Sequence, residues 1–270
     1  NVRINTLSKL LERDKKKKYA VITTISALLQ KVPPKIFFEK AKLRVNTTNP
    51  IDPKRLINFL NQNGFFRVET VMEPGEFAFR GGLLDVFISQ ESGPHRLDFF
   101  GDQIETIRSF DPNTQRSTLS SISNLEELEF KPVSEIILNE SSIAQFRSKY
   151  RSSFGKTGEE DPLYQAISSG HRHIGMEHWL PFFWDRLETF FDYFADIKIF
   201  FDHQVDHAKN ARIDLIAEYY SARVSFPVPS GTIPYHPVKP ESMFIDETLW
   251  GQKLSKFELS YFSPFAIPNS

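Results

Sequence analysis

The sequence predicts a mixed α/β protein with a β-rich insert. Three observations point there. A β-branched apolar segment, YAVITT (19–24), runs directly into the helical pattern ISALLQKV (25–32). The same order returns late in the chain, where DIKIFFD (196–202) precedes VDHAKNARIDLIAEYYSAR (205–223). Strand followed by helix is the elementary unit of α/β architecture. Between these units, from about Phe65 to Phe110, apolar residues alternate with polar ones and Gly-containing turns recur, the period-2 pattern of half-buried strands. The boundaries this suggests are 1–35, 36–125, 126–188 and 189–270.

The elements follow in order. TLSKLLER (6–13) reads as a short helix before the basic run Lys15–Lys18. Pro33-Pro34 closes ISALLQKV, and KIFFEKAKLRV (35–45) alternates and reads as a strand. DPKRLINFLNQNG (52–64) reads as a helix: Asp52 suits the cap, Pro53 the first turn and Gly64 the stop. SEIIL (134–138) reads as a strand leading into a helix capped by Asn139 or Ser141. EEDPLYQAISSG (159–170) is a second helix closed by Gly170, and WDRLETFFDYF (184–194) is amphipathic. Beyond Phe226 the chain is Pro-rich, with a strand expected at ESMFIDE (241–247) and a helix at LWGQKL (249–254).

The stretch EPGEFAFRGGLLDVF (73–87) allows a register to be written down. With Gly81-Gly82 as a two-residue loop, Phe79 pairs with Leu84 and Phe77 with Val86, all apolar. The next loop, 90–95, contains Gly93-Pro94; pairing Ile88 with Leu97 then sets Val86 opposite Phe99. A one-residue slip would turn every one of these side chains to the other face. Arg80, Asp85, Phe87, Arg96, Asp98 and Phe100 point outward in this register, with Phe100 opposite Asp85 and Arg80 about 10–12 Å from Phe100. After the Gly101-Asp102 turn Phe99 pairs with Ile104; Ile107 falls out of phase, so a bulge or bend is expected. The outward face has two readings. Arg80 pairs with Asp85 and Arg96 with Asp98 beneath a neighbouring domain, or arginines and aromatics on a rigid sheet form a protein-binding hot spot. An active site is disfavoured, because no histidine or nucleophile converges there and Asp85 and Asp98 serve as counter-ions.

Composition narrows the chemistry. The 270 residues include 26 Phe and no Cys, and the net charge is −1. Disulfides, thiolate metal sites and cysteine nucleophiles are excluded. Near-neutral charge argues against a plain DNA-binding module, which would bind duplexes in a salt-sensitive way. No apolar run reaches membrane-spanning length, and the start, Asn1 rather than Met, suggests a fragment. His203 and His207 are four apart, and His171, His173 and His178 form a second group. Without a His-Glu-x-x-His string or a third ligand beyond Asp202 or Asp206, no metal is expected. Lys15–Lys18 reads as a solvated turn rather than a phosphate contact. EHWLPFFW (177–184) reads as core or interdomain packing rather than a base-stacking platform. Gly-Lys-Thr occurs in GKTGEE (155–160), but no upstream glycine stands at the spacing a phosphate loop needs.

EPGEFAFRGGLLDVF, followed by RLDFFGDQIETIRSFDPNTQRS (96–117), resembles the bacterial transcription-repair coupling factors (Mfd), in the amino-terminal module they share with the excision-repair protein UvrB. VITTISALLQKVPP, GMEHWLPFF and RLETFFDYFADIKIFFDHQVD resemble the same family, so the likeness covers nearly the whole chain. RSFDPNTQRS and GMEHWLPFF favour the coupling factors over UvrB. The resemblance implies a vestigial RecA-like parallel-sheet domain assembled from both chain ends, 1–35 and 189–270 with a C-terminal extension. It implies an inserted β-rich domain (36–125) that binds UvrA, and a third, small α/β domain (126–188). Arg80, Arg96 and Phe100 fall on the positions that contact UvrA in the family. Asp202-His203 stands where UvrB-like ATPases carry Asp-Glu, a degenerate relic, so no ATPase chemistry is expected in this stretch. For the parent protein the resemblance implies a cytoplasmic, ATP- and Mg-dependent translocase whose other parts meet RNA polymerase and double-stranded DNA. The alternative is an ATP-dependent UvrB-like helicase subunit of the excision nuclease.

Overall fold

Asp52 begins a ten-residue helix as its residue type dictates: its carboxylate accepts from the Lys54 amide at 2.8 Å, and Pro53 occupies the first turn. This helix, α4 (Pro53–Gln62), follows α1 (Val2–Glu12), α2 (Ile25–Leu29), α3 (Lys35–Lys40) and β1 (Leu43–Asn46). It ends at Gly64, whose φ of +94° is the left-handed geometry that closes helices. The computed structural model describes residues 2–14, 16–89, 91–117, 125–155, 161–227 and 235–263. The Gly-Lys-Thr string lies outside them apart from Gly155, as does Lys15 of the basic run.

The β-rich segment forms one antiparallel pair and one larger sheet. β1 pairs with β7 (Glu127–Phe130), Leu43 opposite Phe130. Between them lies a five-stranded sheet in the order β2 (Phe66–Arg67), β3 (Glu76–Arg80), β4 (Leu83–Val86), β5 (His95–Phe100), β6 (Gln103–Ser109). Its inner side chains, among them Phe77, Leu84, Val86, Leu97, Ile104 and Ile107, are almost fully buried against Leu56 and Leu60 of α4 and Leu128 and Phe130 of β7. Each such side chain contributes about 1.5–3 kcal/mol on leaving water.

A second core is aromatic. Asn139 caps α5 (Glu140–Phe154), accepting from the Ser142 amide at 2.9 Å while Ser142 Oγ accepts from the Asn139 amide at 3.1 Å. Phe146 on α5 meets Tyr164 of α6 (Pro162–Ser168), Trp179 and Phe183 at ring separations of 5.7, 5.7 and 5.0 Å. EHWLPFFW is therefore packing material: Trp179, Leu180, Phe182 and Phe183 are buried. The expected strand at SEIIL does not form. Leu138 instead donates its amide to Gln62 O at 2.9 Å, so the segment is a connector laid along the end of α4.

The third core joins sequence-distant pieces. β8 (Lys198–Phe201) pairs in parallel with β9 (Glu258–Tyr261), and α7 (Val205–Ser225), α9 (Glu247–Leu254) and α2 pack on them. Several expected elements differ here. YAVITT is not a strand; Ile22 is fully exposed, and a groove of about 1050 Å³ separates this segment from β8. KIFFEK is α3 rather than strand, because the adjacent Phe37 and Phe38 are both buried, which alternation forbids and a helix permits. ESMFIDE gives one helical turn, α8 (Pro240–Met243), started by Pro240, and Phe244 makes only a bridge to Gln30. The amphipathic stretch WDRLETFFDYF holds a 3-10 turn at Phe190–Tyr193, with Phe191 and Tyr193 buried. Among the described residues no helix is long and apolar enough to cross a membrane.

Candidate protein interface

The outward face of the five-stranded sheet is set by its turns. Gly81 and Gly82 have φ of +57° and +87°, as a type I′ hairpin loop requires. The Phe99 amide donates to Gly82 O at 2.8 Å, locking the first hairpin to β5. Phe77 faces Val86 and Phe79 faces Leu84, the register read from the sequence. Phe99 faces Ile104, and the pairing shifts between Asp98 and Phe99, leaving Glu105 as the extra residue, so both Ile104 and Ile107 reach the core.

The β4–β5 register is a correction. Leu97 lies opposite Leu84, not Ile88, and Val86 lies opposite His95, not Phe99. Ile88 leaves the ladder and turns into the core, where it is 3% exposed, with the Glu91 amide donating to its carbonyl at 3.0 Å. The displacement is an even number of residues, so every side chain keeps its face. Asp85 therefore faces Arg96, and Phe100 faces Gln103 rather than Asp85.

The charges pair accordingly. Arg96 grips Asp85 with both ends of its fork, Nε to Oδ1 at 2.6 Å and Nη2 to Oδ2 at 2.8 Å. Asp85 is 5% exposed, and its hydrogen-bonded carboxylate raises the Arg96 guanidinium above its ordinary range. The guanidinium also lies 4.8 Å from the centre of the Phe110 ring. Phe110, Val71 and Ala78 form a small apolar cluster on this side of the sheet, with Phe87 packed against it. Asp98 is taken by Arg108 and by Thr106 Oγ1 at 2.7 Å. Arg80 is exposed and forms no ion pair among the described residues. Phe100 is 76% exposed. Arg80, Arg96 and Phe100 thus share one face, in three different states: free, paired and bare. Leu83, between Arg80 and Asp98 on the same rung, is also exposed; the outward set read from the sequence omits it, although its odd position on β4, the parity of Asp85, carries the signal.

Asp202 and His203 stand on another element, at the end of β8. Asp202 Oδ1 accepts from the Gln204 amide at 2.9 Å and sits 3.2 Å from His203 Nδ1, and the Val205 amide donates to Asp202 O at 3.1 Å. The pair shapes the entry to α7.

One buried titratable group belongs to the sheet. His95 is 4% exposed, its Nε2 has no hydrogen-bond partner, and burial lowers its pKa, Glu91 opposing weakly from 3.9 Å. The neutral ring is the folded form. Its stabilising effect is whole above the unfolded value near 6.5 and is lost as pH falls from there through the folded value. Urea unfolding should show stability decreasing from about pH 7 to about pH 5, and His95→Gln should flatten that slope; an unchanged slope in the variant would assign it elsewhere.

The comparisons with known proteins meet this geometry. Residues 43–135 match the family model of a UvrB interaction domain, a span that starts at β1 and closes just after β7. The chain is 36% identical to the transcription-repair-coupling factor of Rickettsia bellii over 222 residues, 82% of this chain and 19% of that protein. It is 35% identical to that of Haemophilus influenzae over 208 residues (76% and 18%) and 33% identical to that of Escherichia coli over 189 residues (70% and 16%). The matched span makes the β-rich part of the chain similar to a UvrB interaction domain. The chain belongs to the transcription-repair-coupling factor family, and it spans about a fifth of the length of these relatives.

Proposed function

We propose that this chain is the UvrA-docking part of a transcription-repair coupling factor, and that the outer face of its five-stranded sheet is the docking surface. The observation that carries this reading is the pairing of a bare ring, Phe100, with an uncompensated guanidinium, Arg80, on a rigid sheet inside the matched span 43–135. Aromatic and arginine anchors on such a platform are the usual centres of binding energy. Phe100 fills an apolar hollow in UvrA, Arg80 donates charge-assisted hydrogen bonds, and Arg96 completes the same face from its place beside Asp85. In this reading β8, β9, α7 and α9 are a reduced RecA-like domain that supports the sheet and carries no ATPase chemistry. ATP and Mg, RNA polymerase and double-stranded DNA belong to other parts of the parent protein.

Calorimetric titration with UvrA tests this. Phe100→Ala should weaken binding by about 2 kcal/mol, roughly 30-fold, and Arg80→Ala by about tenfold, with unfolding curves unchanged because both side chains are exposed. Unaltered affinity in the Arg80→Ala/Arg96→Ala/Phe100→Ala triple variant would refute the assignment.

A further inference from the structure

We propose that a second copy of this chain docks on α7, antiparallel, about a two-fold axis that passes near Leu215. α7 is 21 residues long, yet its buried residues are Val205 and Lys209, both in its first five. At 3.6 residues per turn its side chains sort into distinct faces. Val205, Lys209, Ile213, Ile216 and Tyr220 share a buried or half-buried face, and Val205 and Ile213 belong to the third core. Asn210, Asp214, Ala217 and Ser221 make a face turned to solvent. The remaining face carries Ala208, Ala211, Leu215, Tyr219, Ala222 and Phe226, and all but the half-buried Leu215 are exposed. Tyr219 and Phe226 are 61% and 66% exposed. A helix that is apolar on two faces has two layers to pack against, and the chain covers one of them.

The two ends of the bare face fit one another. At its first turn, Gln204, Val205 and Ala208 form one wall of the apolar groove beside β8, together with Phe200 and Phe262. Phe200 and Phe262 stack at 5.5 Å and are 54% and 63% exposed. At the other end, about 27 Å from Ala208 along the axis, stands the bare ring of Phe226. A hole and a knob on one face of one helix are self-complementary. A two-fold axis midway between them seats both at once, and the contact closes on itself. The antiparallel register that does this sets Phe226 opposite Gln204 of the second copy, Ala222 opposite Ala208, and Tyr219 opposite Ala211. The facing alanines let the helix axes approach to about 8 Å. Arg212, whose Nε is buried without a hydrogen-bond partner among the described residues, comes beside Tyr219 of the second copy, where a guanidinium over a phenol ring is favourable. Phe200, Tyr219, Phe226 and Phe262, each more than half exposed, together offer roughly 500 Å² per copy. With Leu215, the alanines and Ile22 on the far wall of the groove, the face approaches the ~800 Å² per partner of a stable dimer. This surface belongs to the third core and not to the five-stranded sheet, so it does not depend on what that sheet binds.

Sedimentation equilibrium over a micromolar concentration series tests this, with circular dichroism and unfolding curves recorded for each variant. The wild-type chain should shift from 31.3 kDa towards twice that mass. Ala211→Glu and Tyr219→Lys should each raise the dissociation constant about tenfold or more, with the fold intact because both positions are exposed. Ser221→Glu, on the solvent face, should leave the dimer unchanged. An equimolar mixture of the Ala211→Glu and Tyr219→Lys chains should recover association. The introduced charges then meet across one half of the two-fold, and the other half keeps its native Tyr219–Ala211 contact. A mass that stays at the single-chain value throughout would overturn the inference and assign the face to a different partner. Dimers that survive both variants would overturn it by placing the contact elsewhere. A mixture that associates no better than either variant alone would overturn the antiparallel register.

Discussion

Arg96→Ala is expected to destabilise the β-rich part of the chain by about 3 kcal/mol, measured by urea unfolding at neutral pH. The deletion strands the carboxylate of Asp85, whose side chain is only 7% exposed, opposite Ala78. Removing one partner of a buried pair costs about 3–5 kcal/mol, because the surviving charge has lost its counter-ion and has no water to replace it. Arg96 itself is 20% exposed, which brings the figure to the lower end. Phe110 also loses the guanidinium that covers its ring. Asp85→Asn/Arg96→Gln, which leaves no net charge behind, should recover most of the loss. A cost under about 1 kcal/mol for the single variant would mean that Asp85 stays solvated. The consequence for binding studies is direct: weakened UvrA binding by Arg96→Ala conflates a contact with a stability defect, whereas Arg80→Ala and Phe100→Ala do not.

Why this was only half visible in the sequence is instructive. Two glycines fix the first hairpin and period 2 fixes the faces, so Arg80, Arg96 and Phe100 could be placed together from the residues alone. Partner choice on that face could not. Two carboxylates and three arginines, Arg108 included, admit several pairings, and the choice depends on where β4 stops, which Gly93-Pro94 does not fix. The helices announced themselves through caps at Asp52 and Asn139, local chemistry needing no distant partner. The failures share the opposite property. YAVITT, SEIIL and ESMFIDE have strand composition, but a strand exists only against a neighbour, and β8 finds its neighbour in β9, nearly sixty residues on. β9 itself was not anticipated. The apolar periodicity of KIFFEK satisfied a strand template until burial of both Phe37 and Phe38 decided for a helix.

Gly64→Ala is expected to be the more damaging of the two changes, at about 3–5 kcal/mol, through two separable causes. Gly64 ends α4 at φ of +94°, a conformation that costs a side-chain-bearing residue about 1–2 kcal/mol. An added Cβ would also stand 2.4 Å from Ser134 Cβ and 3.2 Å from the Ser134 amide nitrogen, an overlap of the kind that costs about 1–3 kcal/mol once neighbours shift. The neighbours have little freedom. Val133 and Ser134 both donate their amides to Asn63 O, and Arg172 ties the same corner together, donating to Gln62 O at 2.8 Å, Ile136 O at 2.6 Å and Ser134 Oγ at 2.9 Å. Burial holds that guanidinium down at about 10, with the Glu177 carboxylate opposing. This corner joins the end of α4, and through it the sheet, to the aromatic core. Ser134→Gly in the Gly64→Ala background should relieve the overlap component and leave the backbone component, so that the double variant stands about 1–2 kcal/mol below the Ser134→Gly single variant, which carries the loss of the Arg172–Ser134 Oγ bond by itself. An equal cost of Gly64→Ala in the wild-type and Ser134→Gly backgrounds would show that the close approach to Ser134 is relieved without cost and that backbone geometry alone requires the glycine.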